Sequence, residues 1–102
     1  MLLISETARR DLQEIWSYVA EYNIDSAHKV IRELSKNFEL LEANPRLGRR
    51  QDGLIVEMRL FPFKNYHVYY FPIADGVEIY RVLHGKRNTE ELFEDYFEGL
   101  KE

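Results

Sequence analysis

The chain changes its hydrophobic period once, and that change bounds what it can fold into. Up to Leu41, apolar residues recur three and four positions apart: Ala8, Leu12, Ile15, Trp16 and Val19, then Ala27, Val30, Ile31, Leu34, Phe38 and Leu41. From Val56 they alternate instead. Val56, Met58 and Leu60 interleave with Glu57, Arg59 and Phe61, and Tyr66, Val68 and Tyr70 with His67, Tyr69 and Phe71. The first spacing places a stripe along a helix, the second along one face of a strand. An α+β domain follows, with a helical hairpin ahead of an antiparallel sheet.

Punctuation sets the expected boundaries. Leu2–Ile4 reads as a short first strand. Ser5 is a good N-cap, with Glu6 in the first turn where the helix dipole favours an anion, so a helix is expected over roughly 6–21. Asp25 is expected to cap a second helix, and Pro45 to stop it, because the residue before proline is pushed out of the α region. The short link Tyr22–Ile24 makes the two helices antiparallel. Strands are expected around Val56–Phe61, Tyr66–Phe71 and Val77–Leu83, with an Asp75-Gly76 hairpin turn and Pro62 and Pro72 near strand ends. These three form a meander. Asn88 with Glu91 reads as a capping box opening a C-terminal amphipathic helix over 88–102, whose apolar face is Leu92, Phe93, Tyr96, Phe97 and Leu100. Residues 1–102 form one domain.

Composition narrows the chemistry. An apolar content of 45% in 102 residues supports a real core. No apolar run reaches the roughly 18 residues of a membrane span, and the N-terminus is too short and wrongly charged for a signal peptide, so a cytoplasmic protein is expected. Zero cysteines remove disulfides and thiol nucleophiles. The net charge of −4 is uneven. Residues 88–102 hold six acids and one base, whereas 46–87 hold eight bases and four acids. A basic second half suits an acidic or phosphate-rich partner, or is a solvated surface of mixed charge.

No glycine-rich phosphate loop occurs, His28, His67 and His84 lack metal-ligand spacing, and the few serines give a triad no local support. No cofactor or metal is expected. What remains is a group on the sheet: Glu57, Arg59, Arg81, His84, Lys86 and Arg87. Arg59 and Arg81 lie inside apolar strands, where a guanidinium needs either a carboxylate such as Glu57 or Glu78 or an open face. His84 is a strand-end histidine, suited to a backbone hydrogen bond or to a site. The tyrosines and phenylalanines of the strands either stack on bases or pack the sheet.

Several segments resemble the ParE group of the RelE/ParE toxin superfamily, in the family's order: I-S-E-T-A-R-R-D-L-Q-E-I-W-S-Y-V from Ile4, N-P-R-L-G-R at Asn44–Arg49, M-R-L-F at Met58–Phe61, Y-H-V-Y-Y-F at Tyr66–Phe71 and G-V-E-I-Y-R-V-L-H-G-K-R at Gly76–Arg87. The chain departs from that pattern by adding the acidic segment 88–102 and by carrying Asn88 where aspartate is frequent. The resemblance implies a RelE/ParE-like fold and the toxin half of a type II toxin–antitoxin pair, bound by a ParD-like antitoxin. ParE-like toxins are taken to poison DNA gyrase, with Arg59, Arg81, His84, Lys86 and Arg87 as the expected target-binding residues here. RelE-like relatives cleave mRNA on the ribosome, and Glu57, Arg59, Arg81 and His84 are the candidate catalytic set for that alternative. The gyrase reading is preferred because His84 is followed by Gly85 rather than by a tyrosine, and because only Lys64 and Lys86 lie in this half. On that reading the protein is not an enzyme.

Overall fold

In the computed structural model, residues 1–53 and 55–85 are described. The elements are β1 (Leu2–Ile4), α1 (Glu6–Ala20), α2 (Ile24–Ala43), β2 (Arg49–Arg50), β3 (Arg59–Phe63), β4 (Tyr66–Ile73) and β5 (Gly76–His84). The five strands form one sheet in the order β1-β5-β4-β3-β2. β1 runs parallel to β5, and the other pairings are antiparallel. The proposed C-terminal helix lies outside the described residues.

Both helices cover one face of the sheet. Ala8, Leu34, Phe38 and Leu41 pack against Val68, Tyr70, Val77, Ile79 and Val82, the core that the two stripes and the period-two alternation imply. The opposite face is covered by the loop before β3, where Ile55 and Met58 close over Leu60, Tyr69 and Leu83. Burial of each of these large side chains contributes roughly 1.5–3 kcal/mol.

Several boundaries differ from expectation. Ser5 caps α1 as expected, accepting from the Ala8 N–H at 3.0 Å. The cap of α2 is Asn23 rather than Asp25: its side-chain oxygen accepts from the Ser26 N–H at 2.9 Å, leaving Asp25 in the first turn. β3 begins at Arg59, not Val56. Val56 and Glu57 sit in a tight loop in which Glu57 has φ +67° and donates its N–H to Asp52 Oδ1. Pro62 and Pro72 lie near strand ends as expected, each the penultimate residue of its strand, with Pro62 opposite His67. β2 carries no hydrophobic alternation, being two arginines.

The β4–β5 hairpin turns on Ala74-Asp75, one position earlier than expected, and Gly76 opens β5 opposite Ile73 at φ +155°. A side chain there would also meet the Met1 carbonyl oxygen at 1.9 Å, so glycine lets β1 lie against the start of β5.

Candidate functional site

β1 pairs with β5 only from Val77 to Ile79, so the rest of β5 would present a bare strand edge. Helix α1 closes it. The Ser5 N–H donates to the Ile79 carbonyl (2.9 Å) and its hydroxyl to the Tyr80 carbonyl (2.8 Å). Farther along α1, Asp11 Oδ2 accepts from the Val82 N–H at 2.9 Å. The same carboxylate takes Arg81 in a two-pronged pair, Nε to Oδ2 at 2.8 Å and Nη2 to Oδ1 at 2.9 Å. Asp11 is the buried charged residue among those described, at 5% exposure. Its hydrogen bond with Arg81 holds the guanidinium above its ordinary pKa, against the opposing effect of burial.

Among the described residues, the carboxylate paired with Arg81 is therefore on α1, rather than Glu57 or Glu78. The sequence held a signal for it. Asp11 stands three residues after Ala8 and four before Ile15, which puts a carboxylate on the apolar stripe. A bulge also intervenes in β5 at Tyr80: Tyr69 lies opposite Arg81 but Tyr70 opposite Ile79, so the ladder shifts just before Arg81, while Arg81 to His84 pair regularly with Tyr69 to Tyr66.

A cleft of about 480 Å³ opens between α1 and the end of β5. Ile15, Tyr18, Tyr66 and Val82 supply apolar walls, and Glu14 and His84 are polar groups at its margin. Tyr18 is 64% exposed. His84 is exposed and stands edge-on to Tyr66, with ring centroids 6.1 Å apart. Gly85 follows against His67, whose Nε2 lies 2.9 Å from where a Cβ would be, so the strand end and His67 can approach closely only with glycine there.

Arg59 has a different setting. Its Nη1 donates to the carbonyls of Gly48 (2.7 Å) and Arg46 (3.2 Å). Tyr70 completes the arrangement by accepting from the Gly48 N–H at 2.7 Å and donating to the Pro45 carbonyl at 2.8 Å. A Cβ on Gly48 would lie 2.7 Å from the Tyr70 ring and 2.9 Å from the Leu60 carbonyl oxygen. The N-P-R-L-G-R segment is thus a fixed loop whose glycine admits the tyrosine.

Of the six singled-out residues, the fold brings Arg81 and His84 to the cleft end of β5 and leaves Glu57 and Arg59 at the start of β3. Arg59 pairs with Tyr70 and His84 with Tyr66, so four residues along β4 and two strand spacings separate them. That is roughly 16 Å between backbones. Arg59 and Arg81 do not converge on a common partner. Lys86 and Arg87 lie outside the described residues.

Residues 2–89 match the family described as the ParE toxin of the type II toxin–antitoxin system, parDE. The chain belongs to the ParE toxin family. Toxin ParE1 of Mycobacterium tuberculosis (strain ATCC 25618 / H37Rv) is 29% identical over 90 residues, covering 86% of this chain and 92% of that protein. Toxin ParE1 of Caulobacter vibrioides is 30% identical over 87 residues, covering 84% and 90%. The chromosomal ParDE system of P. aeruginosa includes a chain of the same fold, with a TM-score of 0.69 at 19% identity, covering 81% of this chain and 92% of that one. The ParE match contains both the Asp11–Arg81 pair and the Gly48–Tyr70–Arg59 loop.

Proposed function

We propose that this ParE-family chain is a toxin that acts by binding DNA gyrase in the cytoplasm, and that a cognate ParD-like antitoxin neutralises it. The observation that carries the binding reading is the dispersal of Glu57, Arg59, Arg81 and His84. Metal-free RNA cleavage requires a base, a phosphate-binding cation and an acid around one scissile bond. Here Arg59 holds backbone carbonyls, Arg81 holds Asp11, and the Glu57 backbone is folded onto Asp52. The α1–β5 cleft, apolar with a carboxylate margin, is the place where a segment of the antitoxin that folds on binding is seated.

The test uses purified chain in two assays. Incubation with gyrase and supercoiled plasmid is expected to accumulate linear DNA, which the antitoxin abolishes. Primer extension in a translation extract is expected to show no codon-phased cuts. Cuts that vanish with His84→Ala would replace this reading with ribosome-dependent mRNA cleavage. Failure of any neighbouring gene product to co-purify would remove the antitoxin part.

A further inference from the structure

We propose that β2 and the loop before it form a docking surface for an acidic, extended segment of a partner protein, which adds to β2 as one more strand. Among the described residues, the sheet ends on β2. Arg46, Leu47, Arg49 and Arg50 are all exposed. Arg50 is bridged to Asp52 at 2.8 Å, but among the described residues Arg46 and Arg49 enter no ion pair. Leu47, between Arg46 and Arg49 in sequence, is 50% exposed, and Val56, 72% exposed, lies in the loop whose Ile55 and Glu57 amides bond Gln51 and Asp52 just after β2.

The backbone beneath this surface is held from inside. Tyr70 bonds Pro45 and Gly48, and Arg59 bonds Arg46 and Gly48, so the loop is fixed before anything binds. A fixed loop loses little conformational entropy on association. Charged side chains also guard sheet edges against self-pairing. That purpose does not account for Arg46, which lies outside the strand, or for an exposed leucine and valine.

The chemistry selects the occupant. A strand edge offers backbone donors and acceptors that another polypeptide matches. Guanidinium forks take carboxylates with paired hydrogen bonds, and Leu47 and Val56 suit alternate apolar side chains. A second copy of this chain would set arginine against arginine, which is unfavourable. The surface lies three strands from β5, so a partner held in the α1–β5 cleft leaves it open. The proposal therefore stands independently of what fills that cleft.

The experiment follows the backbone amides of the full chain by NMR during titration with a short synthetic peptide alternating glutamate and valine. Shifts are expected at Gly48–Gln51, weakening with salt. The double substitution Arg46→Glu/Arg49→Glu is expected to lower affinity at least roughly tenfold with melting unchanged, since these side chains are exposed. Four results overturn the proposal. They are no shifts at these amides, equal shifts with a lysine–valine peptide, shifts with duplex DNA but not with the acidic peptide, and concentration-dependent shifts without peptide, which would signal a second copy.

Discussion

Asp11 and Arg81 join across 70 positions of sequence in a two-pronged ion pair whose carboxylate also holds the Val82 N–H. One side chain thus neutralises a strand cation and closes a strand edge. Their side-chain exposures are 6% and 14%. Asp11→Ala removes the two-pronged carboxylate from a largely buried guanidinium and the acceptor from the Val82 N–H, and is expected to cost about 3–5 kcal/mol. Arg81→Ala should cost less, because the Val82 N–H still hydrogen-bonds the remaining carboxylate. Thermal melting of both single variants and the double variant checks this. Non-additive losses are expected, and independent additive losses would show that the pair contributes little as a unit.

The Gly48–Tyr70 contact should behave as a packed hydrogen-bonded joint. Tyr70→Phe leaves the Gly48 N–H unpartnered and is expected to cost about 1–3 kcal/mol. Gly48→Ala forces a methyl against the Tyr70 ring and the Leu60 carbonyl, and should cost a similar amount through overpacking, about 1–3 kcal/mol. Denaturant midpoints measure both. A neutral Gly48→Ala would mean that the loop yields.

Alkaline pH should act through the same tyrosine. Burial is the largest cause raising the Tyr70 hydroxyl above its ordinary value of 10.0. The folded state therefore favours the neutral form. Its contribution to stability is complete below the unfolded pKa and is lost as pH rises through the folded one. Unfolding followed by circular dichroism from neutral pH to well above 10.0 should show a steeper alkaline loss for the parent than for Tyr70→Phe. Parallel curves would contradict this.

The cleft supplies a prediction that separates binding from folding. Tyr18 is exposed yet forms part of the wall, so Tyr18→Ala, which keeps a good helix former and adds no charge, should change stability by no more than about 0.5 kcal/mol. The same change should weaken the antitoxin complex at least roughly tenfold, as expected for an aromatic anchor. Calorimetric titration and melting, run on the same preparation, give the two numbers. Unchanged affinity would move the antitoxin elsewhere.

The α+β class, the helical hairpin, the Ser5 cap and the main strands were legible in the sequence because each rests on contacts between near neighbours. Apolar spacing is a local quantity, and so is a side chain that caps the turn beside it. The ordered motifs likewise marked the ParE family. The parallel pairing of β1 with β5, the arginine-only β2 and the bulge opposite Tyr69 and Tyr70 were decided by tertiary structure. None has a local period to display. The same holds for the candidate site. Arg81 was visible as a cation in an apolar strand needing a partner, but the carboxylate it pairs with sits 70 positions away on α1. Arg59 was visible in the same way and found carbonyls rather than a carboxylate. A sequence declares which groups must be satisfied. Only the packing of helix on sheet, which sets distances between residues far apart in the chain, decides by whom.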